Sequence, residues 1–352
     1  GLAILDRGLV VTPEVTKLKQ LGFSLLEGWG PRWVVGFCAH ANTTWELDME
    51  QPVNTIVVGF DFSPQAILAL RSALDLAGRN RARVHVVTSL AGHLETDVTH
   101  APGRDEFYAE GLFRDVENKI DRVLLDLPPT NVLVTKEVTL AKAFVALTDA
   151  AALANADLIA VGISGLSALE EALVGSTTGK LLRKSRWPVL ASKPGSHWPP
   201  KRILCPVDFS PASRRALGWA GEIAQQVGAM VMALHVIPHG ASRLLSTLGV
   251  VEQFDQEQMR DRREEVQSFL HRYMTDVEDL KGVTTEAMIA FGRPDEEIIS
   301  CAQSGGVDLI CMGSIGRDGV ARVLVGNTAE RVLRRLPCSL MTVKPDDFVL
   351  HH

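Results

Sequence analysis

At roughly 150 residues per domain, the 352 residues of this chain hold two domains with about 50 residues to spare. A composition 46% apolar and 22% charged excludes wholesale disorder and fibrous repeats. The formal charge of −6 weighs against nucleic acid or an anionic membrane as partner, and no apolar run approaches the roughly 18 residues a membrane span needs.

Residues 1–51 hold three of the six tryptophans (Trp29, Trp33, Trp45) without a sustained helical or alternating period, and no fold is assigned to them. Ala39-His40-Ala41 has the form of a signal-cleavage triplet, but the apolar stretch before it is short and begins too late in the chain for a secretory signal. Met49 stands directly before the first strand-like run, so natural translation is expected to start there. Five scattered cysteines form neither C-x-x-C nor a metal-ligand spacing, which fits a reducing cytoplasm.

From residue 52 onward the chain repeats itself. Ile56-Val-Val-Gly-Phe-Asp61-Phe-Ser63-Pro64 returns as Ile203-Leu-Cys-Pro-Val-Asp208-Phe-Ser210-Pro211. Each copy reads as a buried strand meeting a helix, with serine as the cap and proline at the first helical position. Helices Gln65–Gly78 and Ala212–Gly228 are predicted, each ending on its glycine, followed by second strands near Arg83–Thr88 and Met230–Ile237. His85 and His235 are read as structural histidines at matching positions in those strands. Long charged helices come next, near Arg104–Leu125 and Glu252–Val277, then third strands near Val132–Thr135 and Thr284–Ala290. Fourth strands at Ala156–Gly162 and Val307–Gly313 lead into glycine-punctuated loops and a further helix, and fifth strands at Pro188–Ser192 and Cys338–Val343 close each half. Continuous apolar strands alternating with helices imply an α/β fold of two doubly wound, Rossmann-like parallel sheets of five strands each. The domains are expected at 52–194 and 202–346, with a Pro- and Gly-rich linker at 195–201 and a tail at 347–352.

The candidate site is G-x-x-G-x9-G followed by a polar residue, present twice: Gly162, Gly165, Gly175, Ser176 and Thr177, then Gly313, Gly316, Gly326, Asn327 and Thr328. Phosphate-wrapping loops need positive φ and close backbone approach, which glycine permits, and a helix N-terminus presents unpaired N–H groups to an anion. The plainer alternative is that these glycines only make tight turns. Asp61 and Asp208, at the carboxyl ends of the first strands, could accept from a ribose or a base, or could merely cap the next helix. Lys180, Arg183, Lys184 and Arg186, with Arg331, Arg334 and Arg335, read as solvated helix faces. Cys205, Cys311 and Cys338 read as small core residues.

The twice-repeated D-F-S-P strand end, the D-L-I strand, the glycine motif and the closing Lys-Pro make residues 53–345 resemble a tandem universal stress protein. That resemblance implies strand order 3-2-1-4-5 in each half and an adenine-nucleotide cleft. Asp61 or Asp208 would lie near base and ribose, and the glycine-motif residues would hold ribose and phosphates. ATP is the implied ligand, with Mg²⁺ accompanying it. Fifth strands would pair within the chain, Val189–Ala191 meeting Leu340–Thr342, leaving room for a homodimer. Two departures stand out: Asn327 replaces the family's Ser or Thr, and the G-x-P helix start at Gly292-Arg-Pro294 has no counterpart at Leu140-Ala-Lys142. The expected function is a stress-response regulator whose bound nucleotide biases a partner-binding state. The alternatives are slow ATP hydrolysis or phosphoryl transfer, and a nucleotide-free interaction scaffold.

Overall fold

The computed structural model describes residues 3–5, 9–11, 53–91, 105–163, 176–238, 256–314 and 326–345. The expected start at Met49, the Ala39-His40-Ala41 triplet and the tail lie outside them. Near the N-terminus, β1 (Ala3–Leu5) and β2 (Leu9–Val11) form an antiparallel pair in a unit of its own.

The first half runs β3 (Thr55–Gly59), α1 (Pro64–Asn80), β4 (Arg83–Ser89), α2 (Asp105–Asp126), β5 (Val134–Thr139), α3 (Ala143–Leu153), β6 (Leu158–Gly162), α4 (Ser176–Lys184) and β7 (Val189–Ser192). The second half repeats this as β8 (Arg202–Pro206), α5 (Pro211–Val227), β9 (Met230–Ile237), α6 (Gln256–Thr275), β10 (Thr284–Phe291), α7 (Pro294–Ser304), β11 (Leu309–Gly313), α8 (Asn327–Arg334) and β12 (Ser339–Val343). Strand order within each half is 3-2-1-4-5. The two sheets are not separate: β7 pairs antiparallel with β12, Val189 opposite Thr342 and Ala191 opposite Leu340, so a single ten-stranded sheet crosses both halves.

Local chemistry explains where the helices start. Ser63 sits in extended conformation and its Oγ accepts from the Ala66 N–H at 3.1 Å, while Ser210 does the same for Ser213 at 3.2 Å. Each thereby satisfies a donor that the first turn leaves unpaired, and proline follows where its missing N–H costs nothing. The helix ends differ. Gly228 takes the left-handed cap of α5 at φ 70, as expected, but α1 runs through Gly78 to Asn80 and Arg81 makes the left-handed turn at φ 53. The Arg81 N–H reaches the Ala77 carbonyl and closes the end without a glycine.

The core has two layers because the strands are buried on both faces. Ile56, Val57 and Val58 of β3 are all fully buried. Ile56 and Val58 pack with α1 and α2 on one face, continuing to α5 and α6, while Val57 packs on the other with α3 and α4, continuing to α7 and α8. The halves are also tied by side chains. Asn80 and Gln226 exchange reciprocal amide bonds of 2.9 and 2.8 Å. The linker is pinned as well, since the Trp198 indole donates to Asp75 at 3.1 Å and the Ser339 N–H donates to Ser196 Oγ at 2.7 Å.

Candidate functional site

The turn after each first strand is the same in both halves and is strained. Phe62 and Phe209 sit at φ 64 and 63, a left-handed conformation that costs a residue with a Cβ about 1–2 kcal/mol. The preceding aspartate supports the turn: Asp61 Oδ1 accepts from the Ser63 N–H at 3.0 Å, and Asp208 Oδ1 accepts from the N–H and Oγ of Ser210 at 3.0 and 2.5 Å. The phenylalanines anchor what lies above them. The Lys119 ammonium lies 4.8 Å over the Phe62 ring, and Phe209 meets His235, Phe269 and Tyr273 with ring centroids 4.7, 4.9 and 5.2 Å away.

The glycines that close the fourth strands meet a packing need and do not adopt positive φ. Gly162 and Gly313 are absent from the positive-φ residues, and Gly326 has φ −68. What they require is space. A Cβ on Gly162 would lie 2.5 Å from the carbonyl carbon of Gln65, and one on Gly313 would lie 2.9 Å from Ala212 and the Ser213 nitrogen. These two glycines let the first turns of α1 and α5 press onto the strand ends. Gly326 caps α8, and its N–H is already given to the Ser314 carbonyl at 2.7 Å. Gly165, Gly175 and Gly316 lie outside the described residues.

A cleft of about 250 Å³ opens at the carboxyl ends of β3, β4 and β6. It sits where β4 and β6 flank β3, the change of strand order at which open α/β sheets bind ligands. Asp61, Gly162 and Thr177 line it together, and Ser176 precedes Thr177 at the N-terminus of α4. Ser63, Gln65, Ser89 and Leu147 also line it and were not singled out in the sequence. Ser63 was legible only as a cap. Ser89 and Leu147 become neighbours only once the strand order is known. Thr178 Oγ1 is committed to the Gly162 carbonyl at 2.9 Å, so of the two threonines Thr177 is the one whose hydroxyl is left to face a ligand. In the second half Asp208 and Gly313 take the places of Asp61 and Gly162, with exposed Asn327 and half-buried Thr328 opening α8.

The histidine pairing was misread. The register sets Arg83 opposite Thr55 and Met230 opposite Arg202, so Met232 matches His85 and His235 matches Thr88. Thr88 Oγ1 donates to the Phe60 carbonyl at 2.9 Å, and His235 Nδ1 takes up the same link to Val207 at 2.7 Å. His85 lies against Thr135 at 2.8 Å and Glu137 at 3.4 Å. Both histidines are structural, but on opposite faces of the sheet. Among the described residues no group of three or more His, Cys, Asp or Glu gathers as a metal site.

Cys205, Cys311 and Cys338 are buried, and burial raises their thiol pKa values, Cys338 to about 12. Lys344 is also buried and donates to Ser314 Oγ at 2.7 Å, and burial lowers its ammonium to about 8.

The universal stress protein family model matches residues 52–193 and again 199–344. The chain belongs to the universal stress protein family. Universal stress protein MJ0577 of Methanocaldococcus jannaschii is 31% identical over 154 residues, covering 41% of this chain and 94% of the relative. Universal stress protein YxiE of Bacillus subtilis is 29% identical over 146 residues, 41% of this chain and 98% of the relative. A universal stress protein crystal structure from Archaeoglobus fulgidus superposes with a TM-score of 0.56 at 19% identity, covering 84% of this chain and 99% of its own. A putative universal stress protein from Pseudomonas aeruginosa gives 0.58 at 21%, covering 86% and 96%. The one-domain relatives match a single half, whereas these two structures span both, which shows the tandem fold. Among the described residues no helix is long and apolar enough to cross a membrane.

Proposed function

We propose that this universal stress protein binds an adenine nucleotide, ATP foremost, in the cleft of its first half, and that occupancy biases a partner-binding state in the stress response of a reducing cytoplasm. The observation that carries this reading is the cleft itself. A carboxylate (Asp61), small hydroxyls (Ser63, Ser89, Thr177) and an apolar wall (Ala143, Leu147, Val161) converge at the change of strand order beside the N-terminus of α4. An apolar pocket with a few convergent polar groups suits a flat base and a ribose, and helix N–H groups suit phosphate. Asp61 would accept from ribose or base through the oxygen its own turn leaves over. Thr177 and the first N–H groups of α4 would donate to phosphoryl oxygens, with Gly165, Gly175 and Ser176 completing the loop and Mg²⁺ accompanying the phosphates. In the second half Asp208, Gly313, Gly316, Gly326, Asn327 and Thr328 would play the matching roles. The domains proposed for these two sites are 52–194 and 202–346.

The test is calorimetry of ATP binding to the full chain and to Ala143→Trp, which fills the first cleft from the open first turn of α3. The variant is expected to lose at least about tenfold in affinity at that site while keeping its circular dichroism, because the indole occupies the volume a base needs. Unchanged stoichiometry and affinity would remove the first cleft from consideration, and mass spectrometry of ligand released from the purified protein would then name what is bound instead.

A further inference from the structure

The structure brings together two basic runs that lie about 150 residues apart in sequence. Lys180, Arg183 and Lys184 project from α4, and Arg331 and Arg334 of α8, with Arg335 at its C-terminal cap, occupy the same repeat positions. Each set follows i, i+3, i+4 spacing, which places Lys180, Arg183 and Lys184 on one face of α4 and Arg331 and Arg334 on one face of α8, with Arg335 following at the cap. Those faces are outward: Lys180, Lys184, Arg331, Arg334 and Arg335 are exposed and Arg183 half-exposed, while Leu181, Leu182, Val332 and Leu333 turn into the core.

The two helices flank the β7–β12 junction, and Arg183 bridges them by a bidentate pair to Glu330 at 2.9 and 2.8 Å. Glu330 is the one carboxylate within residues 176–187 and 327–336, and Arg183 and Arg334 both draw on it. Arg331 also leans on Asp295 at 3.4 Å. These two stretches carry seven cations and one carboxylate, a surplus of six positive charges. Since the whole chain is −6, the remainder carries a net charge of −12.

We propose that this two-helix patch is a docking surface for a short acidic peptide segment of a partner protein. Guanidinium forks recognise carboxylates in bidentate geometry, and an anion that fits within the patch gains attraction without meeting the acidic remainder. A nucleic-acid duplex or an anionic bilayer extends past the patch and meets that remainder, which repels it. Among the described residues, the large exposed apolar side chains that would anchor a membrane contact also lie elsewhere, at Leu125, Leu133, Leu140, Val145, Leu153 and Phe269.

The experiment measures anisotropy of labelled hexaglutamate, about 20 Å when extended, titrated with the full chain in low-salt buffer and again at physiological ionic strength. Saturable binding that weakens with salt, falls about tenfold in Lys184→Glu/Arg335→Glu and is unchanged in Arg114→Glu on the opposite face of the sheet is the expected result. Absence of saturable binding at low salt overturns the proposal, as does an equal loss in the Arg114→Glu control. Tighter binding of a short DNA duplex or of phosphatidylserine vesicles than of hexaglutamate overturns it equally, by assigning the patch to a different polyanion.

Discussion

Glu222 on α5 shows how one residue ties pH to stability. Burial, reinforced by the neighbouring Asp279 carboxylate, raises its pKa from 4.5 to about 7, and its Oε2 finds no hydrogen-bond partner among the described residues. A carboxyl that binds its proton more tightly when folded stabilises the fold at low pH. That contribution is fully present below about 4.5 and is lost as pH rises through about 7. Glu222→Gln is therefore expected to raise stability at pH 8 by up to about 3 kcal/mol and to change it little near pH 4.5, as read from urea unfolding at both pH values. Gly162 gives a second prediction. A methyl placed 2.5 Å from the Gln65 backbone forces α1 off the strand end, so Gly162→Ala is expected to cost about 1–3 kcal/mol in the same assay. The need for glycine at this position was legible in the sequence, but its cause was not. Phosphate wrapping and helix approach both demand a residue without a Cβ, and the helix approach shows only in the neighbour's coordinates. The left-handed Phe62 and Phe209 left no sequence signal, because phenylalanine is not a residue that advertises positive φ.

At the level of elements, the helix starts were readable and the ends less so. Serine followed by proline marks a helix N-terminus through a specific unpaired donor, and both α1 and α5 begin where that pattern puts them. Ser63→Ala and Ser210→Ala are each expected to lower stability by about 1 kcal/mol, with Ser210→Ala the worse because its buried hydroxyl also serves Asp208. Thermal melts of the two variants side by side would show the difference. The end of α1 was misplaced because Arg81 adopts a turn for which glycine is the usual signal. Matching His85 with His235 failed for a related reason. Their residue types agree, but a strand shows opposite faces at odd offsets, so a three-residue discrepancy in repeat spacing moves a side chain across the sheet.

For the molecule as a whole, the duplication was visible in the sequence, whereas the pairing of fifth strands, which the structure shows, was implied only by the family resemblance. The side-chain ties between the halves were not visible, since Arg183 and Glu330 occupy non-equivalent repeat positions and nothing in either run names the other. A double-mutant cycle on Arg183→Ala and Glu330→Ala is expected to give a coupling of about 0.5–1 kcal/mol, reduced at high salt because the pair is partly exposed. The antiparallel seam at Val189–Ala191 has a further consequence. A one-domain relative that uses the same edge must find a second molecule, and its pairing weakens as the protein is diluted. Here both partners are covalently one, so scarcity of the protein cannot part them, and each copy can accumulate changes such as His235 for Thr88 without needing a matching change in its twin.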